Sequence, residues 1–491
     1  MYQRTQCVLV ASCALAGISP ALYAQIANDQ HVHGGAERWS APRGFRLADF
    51  ASGLYAPEGQ KVLQVIGDSI NATNSVQGMQ VGYRDRLEVP FNGWVVHADS
   101  GNSEIGYTNA QRTHSTNAIR IPGDTFANGL SAISPVRTRD VVWSGNVANG
   151  GTLSDSFILN YRLVDMPLGN PFGPSATIDA RLLMYEGAHQ LAGFEATGVR
   201  GSSTVSSGFY TRPSTVANAI TWIDRVISPT SGDPGIRLKS DASTAESTSG
   251  ANNLIHLGTR FRAQVEDGVQ IQFISHGGWT AVDHTTTSRF TDEALRQYYA
   301  ATDPPTHCLL WIGQNQTVAE SLNFTGSHSF AVYKADVEAI IDRHEAVIDA
   351  LGAPPPVWLL VSQYKTGYDD FHHELMCEGL YNISLERPNV SFLNLYRIAE
   401  GSAFNKEVYL SDGVHPNNAG VLHLGGLINK ELQDSLLCLS DYDRSGFVDV
   451  DDFTAFSTDF GNGEDTCDVD QSGFVDTDDY DLFVTHFENG C

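Results

Sequence analysis

The sequence predicts an α/β protein in which a parallel sheet of five strands is covered by helices on both faces, with an inserted all-β sandwich and a small helical tail. Three observations predict it: apolar runs alternating with helical patterns, one long stretch of short alternating strands, and a duplicated acidic segment near the end. The apolar runs are VLQVIGD (62–68), IQFIS (271–275), CLLWIG (308–313), VWLLVS (357–362) and VSFLNLY (390–396). Each is short and almost wholly apolar, as a strand buried on both faces requires. Helical patterns follow near 75–87, 291–301, 371–386 and 417–436. The clearest covers 331–351, where Val337, Ile340, Ile341, Ile348 and Leu351 recur on one face.

One connection breaks this rhythm. Roughly 170 residues separate the helix after Ser69 from the strand at 271, far too many for a loop in a compact domain. The stretch is rich in Gly, Ser, Thr and Asn and holds alternating runs such as SFILNYRLVD, ATIDARLLMYEG and GIRLKSD, separated by turn residues. It reads as an inserted β-sandwich over 97–255, flanked by a discontinuous α/β domain at 25–96 and 256–436.

Residues 1–24 read as a secretory signal, with Arg4 before the apolar CVLVASCALAGI and small residues ending at Ala24. Export to the periplasm, the cell surface or the medium is therefore expected; that run is too short to span a bilayer, and no later one is long and apolar enough to do so. After cleavage five cysteines remain, Cys308, Cys377, Cys438, Cys467 and Cys491. An oxidising compartment permits disulfides, and the odd number leaves at least one thiol unpaired within the chain. The formal net charge of −27 disfavours nucleic acid and anionic membranes as partners.

About half of that charge lies beyond residue 438, where Arg444 is the sole Lys or Arg. DYDRSGFVDVDDFTAFSTDFGNG from Asp441 is echoed by DVDQSGFVDTDDYDLFVTHFENG from Asp468. Each copy has Asp, Asp, Ser, Gly, Asp and Asp at loop positions one, three, five, six, nine and twelve. Hard Ca²⁺ needs several oxygens converging on a point, and glycine at six permits the sharp turn. The expected ligands are Asp441, Asp443, Ser445, the Phe447 carbonyl and Asp452, and then Asp468, Asp470, Ser472, the Phe474 carbonyl and Asp479. Asp449 and Asp476 would act through water. Two structural Ca²⁺ ions are thus expected in 438–491.

Chemistry is carried by two distant segments. Ser69 follows an apolar strand, and Asp412 stands three residues before His415. A serine hydroxyl attacks only when a base takes its proton and something stabilises the oxyanion. His415 is the candidate base and Asp412 the group that orients it. HGGWT (276–280) and IGQNQ (312–316) each follow a core strand, and ligands gather at the carboxyl ends of such strands. The amides of Ser69 and Gly278 and the side-chain NH₂ of Asn315 could therefore form an oxyanion hole. His276 could line the same pocket. The run His372-His373-Glu374 reads as a solvated helix face, and His31 and His33 as a flexible start to the mature chain.

These blocks resemble the SGNH (GDSL-type) hydrolase family. Gly67-Asp68-Ser69-Ile70 matches its first block, with isoleucine where leucine is usual, and Gly278 in Gly-Trp-Thr matches its second. Gly313-Gln314-Asn315-Gln316 matches the third, with Gln316 in place of an acid, and Asp412-Gly413-Val414-His415 matches the fifth. The resemblance covers about 56–96 and 256–436, and implies an α/β/α sandwich and a serine esterase mechanism that needs no metal. Gly277 stands beside Gly278, which is chosen on the Gly-x-Thr spacing. The tail resembles dockerin repeats, which implies Ca²⁺-dependent folding and docking to a cohesin-like or cell-surface partner.

The expected function is an exported serine esterase whose ester substrate is an acylated polysaccharide, most simply one that loses acetyl groups. The competing readings are a lipase or general short-chain esterase, and a non-catalytic carbohydrate-binding surface-assembly protein on a degenerate SGNH core.

Overall fold

The computed structural model describes the chain from residue 41 to residue 489, apart from 42, 69, 72–90, 98–117, 122–140, 146–156, 163–175, 187–192, 201–202, 212–218, 230–233, 241–251, 265–266, 276–278, 286–290, 317–331, 365, 367–369, 402–403, 437–439, 441, 443–447 and 470–473. The signal segment, His31, His33 and the helix near 75–87 lie outside the described residues, as do Ser69, His276, Gly277 and Gly278.

Each of the five apolar runs forms a strand: β2 (Gln60–Gly67), β13 (Gly268–Ser275), β14 (His307–Trp311), β15 (Val357–Val361) and β16 (Val390–Leu393). They lie in the order β16-β15-β14-β2-β13, all parallel. Side chains alternate between the faces of a strand, and two separate cores follow from that. Leu63, Val65, Ile271, Phe273, Leu309, Trp311, Leu359 and Val361 enter one core. Ile66, Ile274, Leu310, Ile312, Trp358 and Leu360 enter the other.

Helices close both. On the first face pack α1 (Leu47–Tyr55), through Leu47, Phe50 and Leu54, and α8 (Asn418–Asp434), through Val421, Leu424, Ile428 and Leu432. On the second pack α2 (Ala281–Thr285), α3 (Asp292–Thr302), α4 (Tyr333–Asp349) and α5 (Asp370–Glu386). The face expected for α4 is the one it buries, since Val337, Ile340, Ile341 and Ile348 are inaccessible to solvent. The result is the three-layer α/β/α arrangement. Truncating one such leucine or isoleucine to alanine costs about 2–5 kcal/mol.

The sheet is wider than the apolar runs imply. β3 (Phe91–His97) adds a sixth parallel strand beside β13. Its sequence, FNGWVVH, puts Asn92 and Gly93 where a buried strand normally has apolar residues, which hid it from pattern reading. Beyond it the sheet turns antiparallel: β12 (Asn252–Ala263) pairs with β3, and β7 (Ile178–Glu186) and β10 (Ala219–Ile227) continue outward. β12 runs through the boundary expected at 255/256 as one strand, pairing with β7 from His256 to Ala263 and with β3 from Gly258 to Arg262. A separate sheet of four strands has the order β6 (Phe157–Arg162), β11 (Pro234–Ser240), β8 (Gly193–Arg200), β9 (Ser203–Thr211). The pairings β12–β7, β7–β10, β6–β11, β11–β8 and β8–β9 are all antiparallel.

Cys308 and Cys467 are buried free thiols, the buried Cys377 thiol donates to Oδ1 of Asn394 at 3.5 Å, and Cys438 and Cys491 lie outside the described residues. No described helix is long and apolar enough to cross a membrane.

Candidate active site

The register places the carboxyl ends of three central strands side by side. Gly67 of β2 is paired with Ser275 of β13 on one side and Trp311 of β14 on the other. The chain therefore leaves the sheet at three neighbouring points, after Gly67, Ser275 and Trp311. Gly67 must be glycine there, because a Cβ would lie 2.6 Å from the Trp311 carbonyl oxygen and 2.4 Å from Nδ2 of Asn71. That nitrogen donates to the same Trp311 carbonyl at 3.1 Å, tying the end of β2 to the end of β14.

His284 of α2 holds the Gly67 carbonyl. Its Nε2 lies 3.0 Å from that oxygen, so the ring carries its proton on Nε2. The ring is fully buried and meets the Trp279 indole edge to face, centroids 4.9 Å apart. A second tie links the other two loops: Nδ2 of Asn315 donates to the Trp279 carbonyl at 2.7 Å. Asn315 thus uses one N–H to fix the loop after β13, and its second N–H is the one an oxyanion would need. Thr280 opens α2 by donating both its N–H and its hydroxyl to Asp283 Oδ2, each at 2.9 Å.

Asp68 is completely buried beside the position of Ser69, and its Oδ1 accepts the Ile70 N–H at 3.0 Å. Burial pushes its carboxyl up to about 6; the Ile70 N–H, the nearby His415 and the Gly313 and Gln314 N–H groups all act in the opposite direction. His415 is therefore within electrostatic reach of the residue that precedes Ser69. Gly313 is also required to be glycine. Its φ is +141°, and a Cβ would stand 1.9 Å from Cε of Met376.

The 410–416 loop is a small closed unit, bridged between Leu410 and Pro416. Asp412 Oδ2 lies 2.7 Å from Nδ1 of His415, while its Oδ1 accepts the N–H groups of Val414 and His415 at 3.0 and 2.7 Å. One carboxylate thus shapes the turn and fixes the imidazole tautomer, leaving Nε2 as the basic nitrogen. Burial raises the Asp412 carboxyl, yet the hydrogen bonds from His415 and Val414 outweigh it and hold the group below the usual carboxylate range. Gly413 carries the turn at φ +83°. Ser411 donates its N–H and hydroxyl to the His415 carbonyl, at 2.8 and 3.0 Å. From beyond β15, the buried Tyr364 donates its hydroxyl to the Val414 carbonyl, which pins the loop to the sheet.

The structure brings Asp412 and His415 into contact, and sets Asn315 beside the segment after β13. Ser69 and Gly278 lie outside the described residues. Sequence reasoning missed His284, Asn71 and Tyr364, which carry no motif; each is recognisable only once the loops are adjacent. It also misplaced His373, which is buried against Tyr396 with ring centroids 5.5 Å apart rather than solvated. The cause is helical spacing: His373 shares the core face with Met376 and Cys377, three and four residues on.

In the tail, α9 (Val450–Asn462) and α10 (Thr477–Asn489) stack through Phe456 and Phe483, with ring centroids 3.9 Å apart. Asp452 and Asp479 are fully buried, and their Oδ2 atoms accept the N–H groups of Asp449 and Asp476 at 2.8 and 2.9 Å. Two buried carboxylates at equivalent positions, in a segment with a single Lys or Arg, are donor chemistry that fits a hard cation. Asp441, Asp443, Ser445, Phe447, Asp470 and Ser472 lie outside the described residues. Among the described residues no group of three or more His, Cys, Asp and Glu is placed to hold a metal.

The overall architecture matches one solved structure over most of both molecules. A structure described as a peptidoglycan O-acetylesterase in action aligns with a TM-score of 0.50, covering 79% of this chain and 96% of that one at 11% identity. The fold is shared with that esterase. Other similar structures are a carbohydrate esterase family 3 protein from Talaromyces cellulolyticus (TM-score 0.26, 15% identity, 34% of this chain and 72% of that one) and the acetylxylan esterase Axe2 from Geobacillus stearothermophilus (0.25, 16%, 33% and 73%). At 11% identity the first likeness bears on the fold alone. No protein-family model matches the sequence. No curated protein matches it either.

Proposed function

We propose that this chain is an exported serine esterase that removes acyl groups, acetyl above all, from a polysaccharide. The observation that carries the proposal is the Asp412–His415 pair, built into a closed loop and within electrostatic reach of Asp68, the residue before Ser69. In this reading the Ser69 hydroxyl attacks the ester carbonyl carbon as His415 Nε2 takes its proton. The amides of Ser69 and Gly278 and the second N–H of Asn315 receive the oxyanion. The alcohol leaves with the proton from His415, and water then repeats the sequence on the acyl-enzyme.

The fold shared with a peptidoglycan O-acetylesterase supports this chemistry, and its 79% coverage necessarily includes part of 97–255. A β-rich region beside the catalytic sheet, a secretory leader and a duplicated acidic tail suit a polymeric extracellular substrate. Ca²⁺ in the tail would be held by the position-one to position-twelve oxygens of each repeat and would neutralise its carboxylates. The tail would then serve to dock a cohesin-like or surface partner.

Hydrolysis of p-nitrophenyl acetate by the full chain, compared with Ser69→Ala, tests the proposal. Activity in the wild type that drops to background in the variant is expected; equal rates in both would overturn it.

A further inference from the structure

An edge strand of the large sheet, β10, which among the described residues pairs only with β7, presents a feature that catalysis leaves unused. Along β10, Ile223 and Ile227 are buried on one face, while Trp222 and Val226 on the other are 41% and 46% exposed. Single exposed apolar side chains are ordinary, but here a tryptophan and a valine share one strand face beside a charged pair built against the indole. The indole is backed by that pair. The Arg181 guanidinium of β7 lies over the indole, 5.2 Å from its centroid. That guanidinium is itself fixed by Nε and Nη2 on Asp224 at 2.7 and 3.2 Å, and by Nη1 on the Ala301 carbonyl at 3.2 Å. Asp224, whose side chain is 60% exposed, borders the ring on the same strand face.

The register places this patch at the catalytic end of the sheet. Trp222 pairs with Leu183, Leu183 with Gly258, and Gly258 with His97. His97 lies three residues beyond Trp94, the partner of Ile271 on β13, and so toward the end of β13 at Ser275. In the strand order, β10 stands five steps from β2, past β13, β3, β12 and β7. At about 4.8 Å per step this is about 24 Å along the sheet. A small ester cannot bridge that span, but a polymer bound at the catalytic loops can.

We propose that Trp222, backed by Arg181 and bordered by Asp224, is a remote platform for a sugar ring of a polysaccharide substrate. The apolar face of a pyranose would rest on the indole, and its hydroxyls would donate to the Asp224 carboxylate. Because Arg181 is neutralised by Asp224, the platform suits a neutral sugar ring rather than an anion. The contact with Arg181 restricts the ring before binding and so lowers the ordering entropy lost on contact. The inference rests on the polysaccharide reading given above.

Trp222→Ala in the full chain separates the two. On acetylated xylan or O-acetylated peptidoglycan the variant should show a KM raised about tenfold with kcat unchanged, while p-nitrophenyl acetate hydrolysis stays at the wild-type rate. Trp222→Phe should recover part of the loss. Equal kinetics of wild type and Trp222→Ala on both polymers would overturn the platform while leaving the esterase reading intact. Affinity electrophoresis gives a readout independent of catalysis. Wild type should be retarded by at least one of the two polymers and Trp222→Ala should not; identical migration of the two proteins in both gels would also overturn it.

Discussion

Nδ2 of Asn315 sits 2.7 Å from the carbonyl oxygen of Trp279, joining the loop after β14 to the loop after β13. The amide that would donate to an oxyanion is thus also the amide that sets the distance between two of its suppliers. Asn315→Ala removes both functions. A fall in kcat of about 10²–10³ is expected on p-nitrophenyl acetate, the range for losing one oxyanion donor. Asn315→Asp should be no better, since a carboxylate cannot donate to the Trp279 carbonyl. Wild-type kcat in either variant would remove Asn315 from the site.

Much of this arrangement was legible in the sequence, for physical reasons. The five core strands are continuous apolar runs because both their faces are buried, and α4 reads plainly because its apolar residues keep helical spacing. The Asp412–His415 contact was legible because three residues of a tight turn suffice to bring the groups together. His284, Asn71 and Tyr364 were not legible: each acts on a backbone carbonyl far away in sequence, and that leaves no local pattern. β3 was hidden by Asn92 and Gly93, and His373 by the charged look of its neighbours.

Asp68 gives a pH dependence with a defined sign. Its folded carboxyl is raised to about 6 from an ordinary value near 3.8, so the folded state holds the proton more tightly than the unfolded chain. The group therefore favours folding least when ionised, and its unfavourable contribution grows as pH rises from about 4 to about 6. Asp68→Asn keeps an acceptor for the Ile70 N–H and removes the charge. Thermal melts should show the variant stabilised relative to wild type above pH 6, by up to about 3 kcal/mol, with the difference vanishing below pH 4. A difference independent of pH would contradict the assignment.

Gly413 tests the catalytic loop without touching its reacting groups. Its φ of +83° is strained for any residue with a Cβ, yet the space there is open. Gly413→Ala should cost about 1 kcal/mol of stability and lower kcat several-fold, whereas Gly413→Asn, which tolerates this conformation better, should lose less. Equal kcat for all three proteins would show that the turn does not position His415.

Removal of Ca²⁺ should act on the tail alone. With a chelator, the helical signal from α9 and α10 and the melting of 438–491 should be lost, while p-nitrophenyl acetate hydrolysis continues. Calcium titration should restore both with a stoichiometry of about two. An unchanged melt with no bound metal would refute the two-ion assignment.

The most direct test of the central claim is to find where the acyl group goes. The protein is mixed with p-nitrophenyl acetate, quenched in acid within the first turnover, digested and mapped by mass spectrometry. An acetyl group on Ser69, absent from Ser69→Ala and diminished in His415→Ala, is the predicted result. Hydrolysis with no acetyl on Ser69, or an acetyl equally abundant in His415→Ala, would contradict it.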